Sequence, residues 1–413
     1  MEQHSNLRDP ASEEGIPDIP SLADFETGTY FWEAARPWLS RRGIELYEIR
    51  PDENPLHNWK NWWTPLVSTP APLPFARCVF DTPSKQNIFS PTLKLACGQD
   101  SLGRDVMLKL VEKDSPEYSI YQLLIQREDL FADPRTFPCV LPPLAILDTP
   151  HQYSIVTMPT WGSPFHIEEF RTVREALRFM ECILQGLVYL HANRIAHRDI
   201  FEFNIVVNCY RLDRDIERLS EDLVDHRRRA DVLYALMDYD QSIYLPHITS
   251  VKHCSRPAKE AWVGYGMYKP DDIYTGEPTY NPFAFDVGML GNLFRTNFSK
   301  AVPLVTALPA LFDKMTTHIV SQRFSAEEAL AFFKGSTKDL TQDALEASLE
   351  LTMEYEPLYD SDVYWSRLPS ELQARWICHR TPPLPRWFYV LNRLIQIPVC
   401  RRIILPVRRC LGI

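Results

Sequence analysis

The sequence predicts an α+β protein, with a small strand-rich lobe followed by a larger helical one and a cleft between them. Three observations carry this. Strand-type apolar runs broken by turn residues dominate residues 76–160. From Arg171 onward apolar residues recur at helical spacing. The chain has 413 residues and 45% hydrophobic content, long for one core and suited to two lobes plus extensions. The expected division is an N-terminal extension over 1–74, a strand-rich N-lobe over 75–160, a helical C-lobe over 161–335, and a C-terminal extension over 336–413.

Residues 1–20 are acidic, polar and Pro-containing and are expected to be disordered. From Tyr30 to Tyr47 the pattern is helical, with Trp32, Ala35, Trp38 and Leu39 on one side. NWKNWWTPLVSTPAPLPF (58–75) follows, an aromatic cluster expected to pack on the first lobe and then a proline-rich connector. LKLACGQDSLGRDVMLKLV (93–111) reads as two strands joined by a polar, Gly-containing turn. A helix is expected after Pro116, a strand over YSIVTMPTWG (153–162), and an amphipathic helix over 174–197. DRDIERLSEDLVDHRRR (213–229), dense in mixed charge, reads as a solvated helical insertion.

Net charge is −10, but after Glu371 there is no acid and there are eight Arg; removing those eight charges leaves −18 on the first 371 residues. So acidic a body disfavours nucleic acid as a partner, because that binding rests on neutralising phosphates. Nine Cys without a C-x-x-C pair argue against a disulfide framework or a zinc site. The first twenty residues lack the apolar segment of a signal peptide, so a cytoplasmic or nuclear location is expected.

Residues 197–204, His-Arg-Asp-Ile-Phe-Glu-Phe-Asn, fit H-R-D-x-x-x-x-N, in which the Asp accepts a hydroxyl proton and the Asn holds a metal ion. Companions stand in order on both sides. Lys109, in DVMLKLV, is the strand lysine expected to bind α/β-phosphates. Glu117, at the start of the next helix, can pair with it. Asp238, in YALMDYDQS, follows a β-like run and would carry Mg²⁺. Singly, each has a bland reading: a solvated lysine, a helix N-terminal carboxylate, a turn residue. In register on the expected elements, they point to phosphoryl transfer.

With these residues the chain resembles the eukaryotic protein kinase family, in its divergent fungal kinase-like branch, over roughly 75–335. The resemblance implies a two-lobed protein kinase-like fold and ATP and Mg²⁺ as cofactors. It makes Asp199 the catalytic base, Asn204 and Asp238 the metal ligands, Lys109 the phosphate cation and Glu117 its orienting partner. MPTWG (158–162) resembles the hinge, so Met158 and Pro159 would lie near the adenine. NPFAFDVGMLGNLF (281–294) looks like the D-x-W-x-L-G helix, whose Asp286 would hydrogen-bond the catalytic-loop backbone. YKPDDI (268–273) is similar to the A-P-E segment and RFSAEEAL (323–330) to its partner motif, so Arg323 would pair with Asp271 as a buried ion pair. Arg198 would brace the activation segment. The implied acceptor is a Ser/Thr hydroxyl on a protein.

The pattern also departs from the family. No G-x-G-x-x-G precedes Lys109, and VFDTPSKQNIFSPTLKL (79–95) has no glycine to cradle phosphates. Phe201 stands where Ser/Thr kinases carry a lysine, although the loop also resembles RIO-type atypical kinases, which lack it too. In DYD, Asp240 stands where the glycine of DFG gives backbone freedom; Asp tolerates left-handed φ better than most residues but less well than Gly, so a DFG-flip type of switch is not expected. Two alternatives follow: a pseudokinase scaffold with little or no nucleotide binding, and a small-molecule kinase similar to aminoglycoside or choline kinases.

The tail, residues 385–413, mixes aliphatics with Arg386, Arg393, Arg401 and Arg408. No apolar run in it can span a bilayer. Two readings stay open: peripheral contact with an anionic membrane, with Cys400 or Cys410 as lipidation candidates, or docking on the acidic body of the protein itself. Pro398 and Pro406 predict short helical segments.

Overall fold

The computed structural model describes residues 15–17, 25–51, 60–63, 68–79, 94–130, 133, 135–163, 170–211, 216–229, 231–264, 266–349, 361–381, 386–395 and 397–411. The protein is a mixed α+β chain that divides into two compact units. One comprises Met1–Phe137, Leu141–Ser163 and Val206–His226; the other comprises Pro138–Val140, Pro164–Ile205 and Arg227–Ile413.

The first unit opens with helix α1 (Phe25–Ser40), strand β1 (Ile44–Leu46) and the antiparallel pair β2 (Glu48–Pro51) and β3 (Lys60–Trp63). Then come β4 (Arg77–Val79), β5 (Leu95–Asp100), β6 (Asp105–Glu112), helix α2 (Pro116–Leu124), β7 (Ala145–Asp148) and β8 (Tyr153–Pro159). Five strands form one antiparallel sheet in the order β1-β5-β6-β8-β7. β8 is buried at every position, which suits its near-continuous apolar run between two neighbours. The β5–β6 turn closes as expected: Asp100 Oδ1 accepts from the backbone N–H of Leu102 (2.9 Å) and Arg104 (3.0 Å). Gly103 there takes a left-handed φ of 74°.

The helical pattern expected over 30–47 stops at Ser40. Gly43, at φ 77°, turns the chain, and Ile44–Leu46 alternates buried and exposed as an edge strand of the main sheet. Trp32, Ala35, Trp38 and Leu39 are buried together, as their spacing requires, and so are Trp62 and Trp63. The proline-rich connector is fastened to the sheet: Trp161 Nε1 donates to Pro74 O at 2.7 Å and Thr69 N to Gly103 O at 2.8 Å. Most of residues 1–20 lies outside the described residues. Within it, Ile16 is buried and its carbonyl accepts from His151 Nε2 at 2.8 Å.

The insertion is helical over Ile216–Arg227, but it is not simply solvated. Leu223 and His226 are buried, and His226 Nε2 hydrogen-bonds Asn208 Oδ1 at 2.8 Å. Its charge pattern hides this buried edge near its C-terminal end.

The second unit is built on the helix Val173–Ala192, N-capped by Thr172, whose hydroxyl accepts from Glu175 N. Phe170, Phe179, Phe298 and Tyr234 stack ring against ring beneath it, with centroids 5.0–6.3 Å apart. The short strand Ile195–Ala196 pairs with Ile243–Tyr244 and delivers the chain into the 197–204 loop. Helices Pro282–Phe298, Leu308–Thr316 and Ala326–Thr337 follow, the last started by a capping box between Ser325 and Glu328. In the tail, Pro398 opens a second helix (Pro398–Leu411) after Arg386–Ile395, as its sequence signal predicts. Pro406 does not break that helix but lies inside it.

Candidate functional site

Lys109 and Glu117 meet in the first unit. Lys109 lies on β6, where Leu95 of β5 and Val156 of β8 flank it in register. Glu117 lies in the first turn of α2, behind the N-cap Ser115 and Pro116. Lys109 Nζ donates to Glu117 Oε1, and both side chains are almost buried. A buried charged pair of this kind fixes a lysine ammonium in position more than it stabilises the fold. Met158 and Pro159 end β8 opposite Met107 and Val106. Met158 is buried, with Tyr121 O–H donating to its sulfur at 3.7 Å. Pro159 offers a backbone carbonyl but no N–H. The glycine-free stretch before Lys109 lies, over 80–93, outside the described residues.

Asp199, Asn204 and Asp238 are brought together in the second unit. Asn204 Nδ2 donates to the Asp199 backbone O (2.9 Å) and to Asp199 Oδ2 (3.0 Å). The amide nitrogen is thus committed, and Oδ1 is the end left for a cation. Met237, next to Asp238, donates its N–H to Asn204 O at 3.0 Å. The Met237 carbonyl accepts from His197 Nε2 at 2.9 Å, while His197 Nδ1 accepts from Asp199 N at 3.3 Å. His197 therefore carries its proton on Nε2 and latches the loop to the Asp238 segment.

The loop backbone hangs on Asp286, which is fully buried in the helix Pro282–Phe298. Its Oδ2 accepts from His197 N and its Oδ1 from Arg198 N, each at 2.7 Å, and His191 Nε2 donates to Oδ2 at 3.0 Å. Arg198 braces the later segment: Nε donates to Gln241 O (2.7 Å), and Nη1 to Glu260 O (3.0 Å) and Tyr280 O–H (3.2 Å). Holding Arg198 at a left-handed φ of 65° costs about 1–3 kcal/mol, which these bonds offset.

In the DYD turn Asp238 takes a left-handed φ of 66°, and the Asp240 N–H points to Asp238 Oδ1 at 3.4 Å. An aspartate can take this conformation because its short side chain bonds locally. One sequence expectation is corrected here: Arg323 pairs with Asp272 rather than Asp271. The two acids open a 3₁₀ turn, where neighbouring side chains diverge by roughly 120°, so only one faces Arg323. Arg323 also donates to Ala284 O (2.9 Å) and Thr317 O (2.7 Å). Burial pushes the Asp271 carboxyl up, opposed chiefly by Arg295.

One residue escaped the sequence reading. Lys269 is the cation whose charge acts on Asp199, and partial burial pulls its ammonium below the usual lysine value against that attraction. Its segment is seated on the loop: Gly264, at φ 69°, approaches so closely that a β-carbon there would collide with the Asp199 carboxylate. Tyr268 O–H donates to Glu202, and Asn292 Nδ2 donates to the carbonyls of Tyr268 (2.9 Å) and Lys269 (3.3 Å). The signal was present in GYGMYKP, a lysine following two glycines and opening the A-P-E-like motif, but only the fold returns it to Asp199.

Among the described residues no group of three or more His, Cys, Asp or Glu forms a ready-made metal centre. Mg²⁺ needs none, since it is commonly held by one or two protein ligands with phosphate oxygens and water completing its shell. Asn204 Oδ1 and the half-buried Asp238 carboxylate fit that demand. No protein-family model matches this chain, and no curated protein matches it.

Proposed function

We propose that this chain is a protein kinase-like phosphotransferase with a two-lobed kinase-like fold, using ATP and Mg²⁺ to modify a protein hydroxyl. The observation that carries the reading is the Asp286 carboxylate accepting from the consecutive N–H groups of His197 and Arg198, with Asn204 bound to Asp199 beyond them. That network sets a carboxylate and an amide at fixed separation, as an in-line phosphoryl transfer requires.

In this reading Asp199 takes the acceptor hydroxyl proton as the new O–P bond forms and the bond to the leaving oxygen breaks. Asn204 and Asp238 hold Mg²⁺. Lys109, oriented by Glu117, neutralises the α/β-phosphates, and the end of β8 at Met158 and Pro159 receives the adenine. ATP supplies the transferred phosphoryl group. Lys269 provides the positive charge that Phe201 cannot, a contribution worth several kcal/mol in preorganised sites. With that cation supplied from another segment, an active enzyme is favoured over a pseudokinase. The Arg198 brace and the Arg323–Asp272 pair favour the protein-kinase side over a small-molecule kinase.

A thermal-shift titration tests this. Wild type is expected to gain stability from ATP only with Mg²⁺ present, and Asp238→Asn to lose that gain while its unliganded melting temperature stays within a few degrees. A shift indifferent to both Mg²⁺ and Asp238→Asn would leave the pseudokinase reading.

For the tail we propose reversible contact with an anionic membrane from a cytoplasmic or nuclear location. Among the described residues no helix is long and apolar enough to cross a bilayer. In the two tail helices Val390, Leu394, Val399, Ile403 and Val407 are exposed alongside Arg393 and Arg402, with Val399 reaching 69%. Ile395 is buried against Gly276 and anchors the first of these helices. Each basic residue near an acidic surface contributes about 1 kcal/mol, within a Debye length. Full-length protein should therefore co-sediment with phosphatidylserine vesicles at low salt and release as salt rises, and a chain ending at Glu371 should not bind. Equal behaviour of the two chains would assign the tail to the protein's own surface.

A further inference from the structure

Six basic side chains line one cavity of the second unit: Arg174, Arg178, Arg227, Arg229, Lys334 and Lys338. Its volume is about 610 Å³, within the range of small-molecule sites. Among the residues lining it the one acid is Glu181, and Glu181 serves two cations at once, Arg178 at 3.6 Å and Lys334 at 3.3 Å. Further neutralisation comes from outside the lining: Arg174 reaches Glu346 at 2.7 Å and Arg229 reaches Asp231 at 3.0 Å. The charge of Arg227 also acts on the buried Glu175 carboxyl; within the lining itself, basic side chains outnumber the acid six to one, in a chain whose net charge is −10. General basicity therefore does not account for it.

The walls are fixed as well as charged. Arg178 and Arg174 lie one turn apart on the helix Val173–Ala192, and Lys334 and Lys338 lie one turn apart at the end of Ala326–Thr337 and just past it. Arg178 Nε is held by Val232 O at 3.1 Å, and the Arg227 guanidinium is buried over the Phe170 ring at 4.5 Å. Leu177 and Phe333 give the cavity an apolar floor. Two pairs of like charges converging from separate helices, with one acid shared between them, favour a further anion at that place. Fork-shaped guanidinium groups beside mobile ammonium groups suit phosphate oxygens best.

We infer that this cavity binds a small molecule carrying several closely spaced phosphates. It is a site separate from the residues assigned to phosphoryl transfer. The source of the phosphates is either a linear polyphosphate or a phosphorylated ring, and the two are distinguished by using inorganic tripolyphosphate and inositol hexakisphosphate as probes.

The test is calorimetric titration of the full chain, without Mg²⁺, by each probe. Wild type and Lys109→Met are expected to bind equally, which separates this cavity from the nucleotide residues. Lys334→Glu/Lys338→Glu replaces two exposed side chains, should fold with an unchanged melting temperature, and should bind about tenfold more weakly or worse. The tighter probe identifies the source. Failure of wild type to bind either probe overturns the inference, and so does equal binding by wild type and the double variant. A loss in Lys109→Met as large as in the double variant overturns it as well.

Discussion

Asp286→Ala should destabilise the protein by about 3 kcal/mol or more, because it leaves three buried donors without an acceptor and each costs about 1–3 kcal/mol. The donors are His197 N, Arg198 N and His191 Nε2, all on one fully buried carboxylate. The left-handed backbone at Arg198 also loses its N–H bond to Asp286. Against a typical total of about 5–15 kcal/mol, such a loss is a large fraction. Asp286→Asn keeps one acceptor oxygen and sets its NH₂ against a backbone N–H, so it should fall between alanine and wild type. Urea unfolding of the three proteins provides the measurement. A change below about 1 kcal/mol for alanine would mean that the loop is held by other contacts, and the reading of Asp286 as its clamp would fail.

Local rules made much of the fold legible. The alternation in LKLACGQ and DVMLKLV, with Asp100 and Gly103 between them, specified two strands and their turn without tertiary information. Pro116 and Glu117 announced the start of the helix that follows β6. What could not be read depends on returns of the chain through space. Tyr30–Tyr47 continues a helical apolar stripe, yet Gly43 and the edge of a sheet claim its last residues. The choice between Asp271 and Asp272 turns on one residue of phase in a 3₁₀ turn, which periodicity does not fix.

Those returns matter most at Lys269, and here the second large effect is expected. Asp199→Ala removes the proposed base and should slow autophosphorylation by about 10²–10⁴-fold. Lys269→Met should slow it by about 10²–10³-fold, the scale of losing one preorganised charge donor at a transition state. The two losses should differ in kind from that of Lys109. The charge of Lys269 acts on Asp199, so Lys269→Met should leave the Mg²⁺-dependent ATP shift intact while the turnover rate falls. Lys269→Arg, which keeps the charge on a stem of similar length, should recover much of the rate; a purely structural lysine would show no such charge preference. The backbone holding Lys269, through Asn292 and the Tyr268–Glu202 bond, does not involve its ammonium, so the variants should fold normally. Wild-type turnover in Lys269→Met would remove this residue from the mechanism and return the question of the missing cation to Phe201. Undiminished turnover in Asp199→Ala would remove the base itself, and with it the phosphotransferase reading of the loop.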